Sequence, residues 1–190
     1  MFRTSYILAT SLFAVVLALS HVDRIAQAKT AGIGHLRLID RLDRPQDGYC
    51  LDVLGTGRAL RLELPIFAHN CKPGLTPDSA VTITTVGEIR FADIDLCATS
   101  FGVNGRTLAG SPIILRACGD TAPFFDSAPL QRFEWTDENR LRLKGTTLCL
   151  SVGDESASTY STADRWRVLT VENCSSVSPE RAAWEFVRVD

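Results

Sequence analysis

Six cysteines form three pairs of similar spacing, and this spacing constrains the fold more than any other feature of the sequence. The pairs are Cys50 with Cys71, Cys97 with Cys118, and Cys149 with Cys174. Each pair brackets a segment that begins with alternating apolar residues, passes through a turn of Gly or of Ser and Asp, and contains a second apolar run. Self-similar segments at a regular interval are typical of repeat architectures. The cysteines therefore predict three structural repeats that close on one another.

The first 28 residues have the composition of a secretory signal peptide. Arg3 precedes an almost uninterrupted apolar run over residues 6–19, and residues 26–28 (Ala-Gln-Ala) match a small-residue cleavage signature. The apolar run is shorter than the roughly 20 residues that a membrane-spanning helix needs. An uncleaved anchor is the alternative interpretation. We expect residues 1–28 to be removed on export and the protein to be secreted or periplasmic.

Export changes the expected role of the cysteines. An oxidising compartment favours disulfides, whereas the same cysteines in a cytosolic chain would indicate metal binding or catalysis. All six follow residue 28, and the repeat selects the pairing in which each pair closes its own loop, worth about 3 kcal/mol per disulfide. Zinc is the competing interpretation, but the chain has three His and no C-x2-C or H-x3-H spacing. We expect three disulfides, no metal and no cofactor.

The remaining segment, residues 29–190, has the size of one globular domain. The formal net charge of the whole chain is −2, which gives no reason to expect a nucleic acid or an anionic membrane as partner. No second long apolar stretch follows the first. We therefore expect one domain, without nucleic-acid binding and without membrane insertion of the mature chain.

Short segments in which apolar and polar residues alternate recur along the chain. Alternation at every second residue, with many Val, Ile, Leu, Thr and Phe, is typical of half-buried strands. Turn formers such as Asn104-Gly105 and Gly153-Asp154 separate these segments. The chain is predicted to be all-β, and its last strand is expected to pair near its first. The predicted strands are 35–40, 60–64, 81–86, 88–91, 112–118, 140–143, 167–174 and 184–189.

Three longer connections interrupt the strands, at residues 72–80, 119–129 and 154–164. Each has Pro, or Ser and Thr, at a density typical of loops. The first two follow the second cysteine of their repeats. The third lies inside the third cysteine pair and accounts for its wider spacing.

Two motifs accompany the cysteines. The first is GYCLDV at residues 48–53, with CLSV at 149–152; the second is a partly kept Gln-x-Trp element, with Gln-Arg-Phe at 131–133, Ala-Ala-Trp at 182–184 and Ser-Ala-Val at 79–81. Together they resemble the ricin-B-type, or R-type, lectin β-trefoil over nearly all of the chain after residue 28. The resemblance implies a β-trefoil of three Cys-paired repeats. The repeats would cover roughly residues 35–80, 81–135 and 136–190.

In that family each repeat can offer a shallow sugar site. A pyranose exposes hydroxyls on its edge and an apolar C–H face, so a site needs a carboxylate as acceptor and an aromatic ring as cover. The family's positions fall on Asp52, Phe67, His69 and Asp78 in the first repeat. The resemblance implies that Asp52 and Asp78 accept from sugar hydroxyls while His69 or Phe67 lies against the ring. The family's amide is missing, and the two carboxylates would repel unless a hydroxyl or an ion separated them. The alternative is that Asp52 caps a local turn and His69 is a solvated loop residue.

The second repeat departs further from the family pattern. It has Thr99 at the carboxylate position and Ile114 and Arg116 before the second cysteine. Because Arg116 can donate but cannot accept, we expect this repeat to bind no sugar.

The third repeat has Ser151, Thr170 and Glu172 at the corresponding positions. Its inserted loop and the segment after it carry Tyr160 and Trp166, which form a secondary candidate as a stacking platform outside the family's usual place. Packing inside the barrel or against a loop is the alternative for Trp166.

Two further tryptophans, Trp135 and Trp184, fall where the family buries aromatic residues, so we expect both in the core.

Three functions compete. The first is a non-catalytic carbohydrate-binding module whose partner is a glycan or glycoprotein. The second is a trefoil that has lost its sugar sites and binds a protein, as a toxin-delivery subunit or a protease inhibitor does. The third is an enzyme: Asp52 and Asp78 could be imagined as a glycosidase pair, but a shallow surface lacks the enclosing cleft that raises one pKa. No catalytic motif accompanies the three His, so we expect no enzymatic activity.

Overall fold

The structure, a computed structural model, describes residues 32–189, and the predicted signal peptide at residues 1–28 lies outside these described residues. In the described part the chain is nearly all β, with short 3-10 turns at Gly57–Ala59 and Ala128–Gln131. The strands are β1 Gly34–Leu38, β2 Tyr49–Asp52, β3 Phe67–Asn70, β4 Val81–Ile83, β5 Ile89–Phe91, β6 Leu96–Ser100, β7 Ser111–Ala117, β8 Phe133–Trp135, β9 Leu141–Leu143, β10 Leu148–Val152, β11 Ala157–Ser158, β12 Arg165–Asn173 and β13 Trp184–Arg188, with one short helix, α1 Pro179–Ala182.

Six of these strands form a closed barrel. Direct ladders join β13 to β1, β1 to β4, β4 to β5, and β8 to β9. Single bridges, Glu88 with Arg132 and Arg140 with Ala183, join the start of β5 to β8 and of β9 to β13. The expected pairing of the last strand with the first is confirmed, since Leu38 lies opposite Trp184. Closure leaves the barrel with no open edge.

Three hairpins, β2–β3, β6–β7 and β10–β12, add to this barrel in the same way in each repeat. Arg37 of β1 lies opposite Cys50, and Arg90 and Arg142 lie opposite Cys97 and Cys149. The predicted disulfides Cys50–Cys71, Cys97–Cys118 and Cys149–Cys174 are all formed. The fold is a β-trefoil of three Cys-paired repeats.

The prediction of a strand at residues 60–64 is wrong. The ladder of β2 with β3 begins with Asp52 opposite Phe67, so the residues between them form the hairpin connection and have no strand partner. Pro65 ends the segment and has no N–H to donate to a ladder. Leu62 and Leu64 are each 38% exposed. The alternation of this segment therefore marks a loop with an exposed apolar side.

The core follows the threefold order. Val81, Phe133 and Trp184 stand at the position of the Trp in Gln-x-Trp, and all three are buried. The Trp184 indole N–H donates to the Leu150 carbonyl at 3.0 Å, which satisfies its polar atom inside the core. Trp135 is partly buried and packs against the same core. The expected core position is thus confirmed for Trp184, whereas Trp135 lies only partly in the core.

Candidate functional site

The hairpin register places the family's sugar-contacting positions at the same level in every repeat. Asp52 lies opposite Phe67 in the first repeat, Thr99 opposite Ile114 in the second, and Ser151 opposite Thr170 in the third; the residues opposite the first cysteines are His69, Arg116 and Glu172. The backbone therefore aligns these positions as the sequence predicts. Among the residues two positions after the first cysteine of each repeat, Asp52 carries a carboxylate, whereas Thr99 and Ser151 carry hydroxyls.

In the second repeat, Thr99 at this position is part of a closed hydrogen-bond network. The Gln131 side chain is fully buried; its amide NH2 donates to Thr99 Oγ1 at 3.0 Å and to the Ala117 carbonyl at 2.9 Å. Its Oε1 accepts from the Gly119 N–H at 2.7 Å, and Thr99 Oγ1 donates to the Cys97 carbonyl. These contacts satisfy the amide within the protein. Gln131 and Thr99 are structural here.

In the first repeat, Asp52 at this position belongs to an ionic cluster with Lys72 and Asp78. The Lys72 ammonium lies 2.7 Å from Asp52 Oδ2 and also donates to Asp78 Oδ2. Both carboxylates are almost completely buried, whereas the Lys72 side chain is partly exposed. Lys72 is therefore the ion that separates the two carboxylates, and it is the member of the cluster that a ligand reaches most easily.

Sequence reasoning missed Lys72, although its position directly after Cys71 gives a signal. Two acidic positions that converge on one site need a cation between them. Lys72 is the first basic residue after the hairpin and lies six residues before Asp78.

Burial dominates the electrostatics of this cluster. It raises the pKa of the Asp52 carboxyl to about 7, against the attraction of Lys72. The expectation that this surface is too shallow to raise the pKa of a carboxyl group is therefore wrong. Burial also lowers the pKa of the His69 imidazole, and the Lys72 charge adds to this shift. Burial opposes the charge of Lys72 itself, but Asp52 and Asp78 together outweigh it and raise its pKa. At neutral pH the site thus presents a charged ammonium beside a neutral imidazole.

The first-repeat candidates and the secondary candidates lie in one groove. Strand β3 pairs with β12 of the third repeat, so that Trp166 lies opposite His69 and Val168 opposite Phe67. The Phe67 ring is 6.0 Å, centroid to centroid, from both His69 and Trp166, with edge-to-face geometry in each pair. The inserted loop brings Tyr160, 94% exposed, to the rim of the groove.

The groove has two parts of different chemistry. We call the polar half the cavity of about 740 Å³ around the ionic cluster, and the apolar half the adjoining cavity of about 670 Å³. Leu54, Leu64, Phe67, Thr159 and Tyr160 line both. The polar half is further lined by Asp52, Thr56, Arg61, His69, Lys72, Thr76, Asp78 and Asp164, and the apolar half by Pro65, Ile66, Pro112, Trp166, Val168, Leu169 and Thr170.

The inserted loop is held in place by the first repeat. Asp43 accepts from the Arg167 guanidinium at 2.8 Å, from the Tyr49 hydroxyl at 2.7 Å and from the Ser156 hydroxyl at 2.6 Å. Partial burial works against the Asp43 charge, but these donors hold the pKa of its carboxyl well below its ordinary value. The Asn70 side chain donates to the Ala163 carbonyl at 3.0 Å. Intramolecular hydrogen bonds therefore hold the loop that carries Tyr160 in place without a ligand.

A second surface, which sequence reasoning missed, lies on the second repeat. It consists of the exposed side chains of Phe101, Val103, Phe124 and Phe125, and we call it the second-repeat patch. The Asn104 N–H donates to the Phe124 carbonyl at 3.3 Å, which joins the two loops that carry these residues. The Arg116 guanidinium lies 4.7 Å from the centre of the Phe125 ring.

Among residues 32–189, no group of three or more His, Cys, Asp or Glu side chains is arranged to hold a metal ion. The same residues include no helix of the length and apolar character that a membrane span requires.

No protein-family model matches the sequence, and no curated protein matches it. Solved structures do resemble the fold. An agglutinin from Abrus precatorius is 22% identical, with a TM-score of 0.57 over 82% of this chain and 48% of that chain. The mdaA-1 domain is 13% identical, with a TM-score of 0.59 over 82% of this chain and 89% of its own. The hemolytic lectin CEL-III is 17% identical, with a TM-score of 0.53 over 85% of this chain and 31% of that chain.

This chain thus spans about half the length of the agglutinin chain and about a third of that of CEL-III. At these identities the likeness defines the class of fold, a β-trefoil shared with lectins.

Proposed function

We propose that this protein is an exported, non-catalytic glycan-binding protein whose ligand lies in the groove between the first and third repeats. The observation that carries the proposal is the pairing of β3 with β12, which brings the loop of Tyr160 to the half of the groove that holds Asp52, Lys72 and Asp78. A sugar needs hydrogen-bonding groups for its edge and a ring for its face, and this groove offers both. The names of two structural neighbours, an agglutinin and a lectin, agree with this function.

The contacts follow from the geometry. The ammonium of Lys72 has three N–H donors; it donates to Asp78 and lies 2.7 Å from Asp52 Oδ2, so at least one donor remains for a sugar hydroxyl. Asp164 lines the same half of the groove and supplies a carboxylate acceptor. Tyr160, which lines the polar half, covers the apolar face of the ring. Asp52 and Asp78 then act by holding Lys72 in place.

The same cluster argues against catalysis. A glycosidase needs one carboxyl group as acid and a second as nucleophile or base, each facing the scissile bond. Asp52 and Asp78 both face one ammonium instead and are almost completely buried.

The charge of the polar half favours neutral glycans. Lys72 is matched by Asp78 and a partly protonated Asp52, Asp164 adds a further acidic side chain, and the second cation, Arg61, is already paired with Glu63 at 2.9 Å. A sialylated or sulfated sugar would add a further negative charge to this surface and be repelled.

A glycan array probed with the disulfide-oxidised protein tests the proposal. We expect binding to neutral glycans with a dissociation constant of about 1 mM or tighter. The substitution Tyr160→Ala removes a fully exposed ring and should weaken binding about fivefold to tenfold without affecting folding. Trp166→Ala removes the ring that packs against Phe67, which lines both halves, and should also weaken binding.

The matched control is Phe124→Ala, which removes a ring that is 75% exposed in the second repeat. It should leave glycan binding unchanged. An array without hits, or affinities that neither Tyr160→Ala nor Trp166→Ala lowers, would contradict the proposal.

The second-repeat patch favours a second candidate function, the binding of a protein partner. Its three exposed aromatic side chains, on two loops joined by a hydrogen bond, are of the kind enriched at protein-binding surfaces. Cross-linking in the native medium would identify a partner, and binding to that purified partner should fall in Phe124→Ser but not in Tyr160→Ala. Equal binding by both variants and the wild type would exclude the patch as the contact surface.

A further inference from the structure

The apolar half of the groove leaves several apolar side chains exposed to solvent. It is concave, and Val168 at its wall remains 49% exposed although it lies in the middle of strand β12. Leu64 and Tyr160 add further exposed apolar surface at the rim. Isolated exposed apolar residues are ordinary, but a contiguous concave group of them marks a binding surface.

The two halves form one continuous surface. The Phe67 ring packs against His69 of the polar half and against Trp166 of the apolar half, and it lines both halves. A ligand in the polar half can therefore extend past Phe67 into the apolar half. Sites of about 300–1,000 Å³ accommodate drug-sized ligands, and each half lies within this range, so the whole groove has room for more than one pyranose.

The chemistry of the apolar half selects what extends into it. Thr159, Tyr160 and Thr170 supply its side-chain hydroxyls, and the Thr170 hydroxyl already donates to Glu172 at 3.1 Å. The backbone groups of β3 and β12 are engaged in their shared ladder. A second sugar ring would lose water from its hydroxyls and find few partners, which is unfavourable. An alkyl or aryl group loses nothing and buries apolar area.

We propose that the natural ligand is a glycoside with an apolar aglycone, whose sugar lies in the polar half and whose alkyl or aryl group lies in the apolar half. This inference rests on the proposed glycan-binding function and adds the class of ligand to it. Trp166 and Val168 form the wall against which the aglycone packs.

Calorimetric titration with matched glycosides separates the two claims. The probes are methyl and hexyl glycosides of galactose, glucose, mannose and N-acetylglucosamine, below their micelle-forming concentrations, with hexanol as the aglycone alone. Methyl glycoside binding tests the proposed function. The gain from methyl to hexyl tests the inference, and we expect it to be about tenfold to a hundredfold, because several CH2 groups leave water.

Val168→Glu places a charge in the apolar half and should abolish the preference for hexyl over methyl glycosides while methyl glycoside binding persists. Val168→Thr keeps the shape of the side chain but replaces a methyl group by a hydroxyl, so it should reduce the preference for hexyl glycosides only partly. The matched control is Val103→Glu, at a valine that is 53% exposed in the second-repeat patch, and it should leave the preference intact. Near-UV circular dichroism confirms that each variant is folded.

Four results would overturn the inference. Equal affinity for methyl and hexyl glycosides would leave the apolar half empty, and a hexyl preference that survives Val168→Glu would place the chain elsewhere. A methyl disaccharide that binds more tightly than the hexyl monosaccharide would assign the apolar half to a second sugar. Hexanol that binds as tightly as the hexyl glycoside would make the sugar irrelevant and contradict the proposed function as well.

Discussion

The first and second repeats have the same backbone arrangement and differ in the side chains at equivalent positions of their hairpins. In the second repeat the buried amide of Gln131 joins Thr99 to two backbone groups and leaves nothing for a ligand. In the first repeat Lys72 joins two buried carboxylates and remains partly exposed itself. The difference shows that the trefoil backbone aligns these positions without deciding their chemistry. A network that is satisfied internally stabilises the fold, whereas one with a donor to spare can bind.

The largest expected effect comes from removing the cation of the first repeat. Lys72→Met leaves Asp52 and Asp78 buried without a counter-charge, and we expect the free energy of unfolding at pH 7 to fall by about 3–5 kcal/mol. Urea denaturation measures it. The control is Arg116→Met in the second repeat, which removes a guanidinium that lies over the Phe125 ring and should cost less than about 1 kcal/mol. Similar losses in both variants would show that the ionic cluster is no special feature of the first repeat.

The pH dependence of stability sharpens the same comparison. Burial raises the pKa of Asp52 from 3.8 to about 7, so the folded state binds its proton more tightly than the unfolded state does. Its contribution to stability is therefore complete below about pH 4 and is lost as the pH rises through 7, with a ceiling of about 4 kcal/mol. Asp52→Asn should remove this dependence. Urea midpoints for wild type and variant between pH 4 and pH 8 test it, and parallel profiles would refute the assignment to Asp52.

A smaller effect is expected from the amide of the second repeat. Gln131→Ala leaves the Gly119 N–H and the Ala117 carbonyl without this partner and creates a cavity, so we expect a loss of about 2–3 kcal/mol. The corresponding residue of the first repeat is Ser79, whose hydroxyl bonds to that of Thr76 at 2.7 Å. Ser79→Ala should cost about 1 kcal/mol. Thermal unfolding of both variants gives the comparison, and a larger loss for Ser79→Ala would reverse the order of the two repeats.

Much of the fold is predictable because its signals are local and occur three times. The cysteine spacing predicts the disulfides and the hairpins, and two-residue alternation predicts the barrel strands. The segment at residues 60–64, for which the prediction of a strand is wrong, shows the same local alternation. A strand also needs a partner, and the register of β2 with β3 leaves this segment outside the ladder. Alternation alone does not contain that information.

The site is less predictable, because its parts come from different repeats. Sequence reasoning identifies Asp52, Phe67, His69 and Asp78 as one candidate set and Tyr160 with Trp166 as another, and it places them apart. The structure brings both sets into one groove, since β3 of the first repeat pairs with β12 of the third.

By itself, the sequence determines three disulfide-closed repeats of short strands, because cysteine spacing and strand alternation depend only on residues within each repeat. The β-trefoil is what the resemblance to the R-type lectins implies. The tertiary structure alone decides that Lys72 neutralises Asp52 and Asp78, and that an apolar surface adjoins this cluster. The first depends on how the loop after β3 folds back onto β2 within the first repeat, and the second on how β3 meets β12 of the third repeat. Contacts between segments distant in the chain arise when the barrel closes, and it is there that the proposed binding chemistry lies.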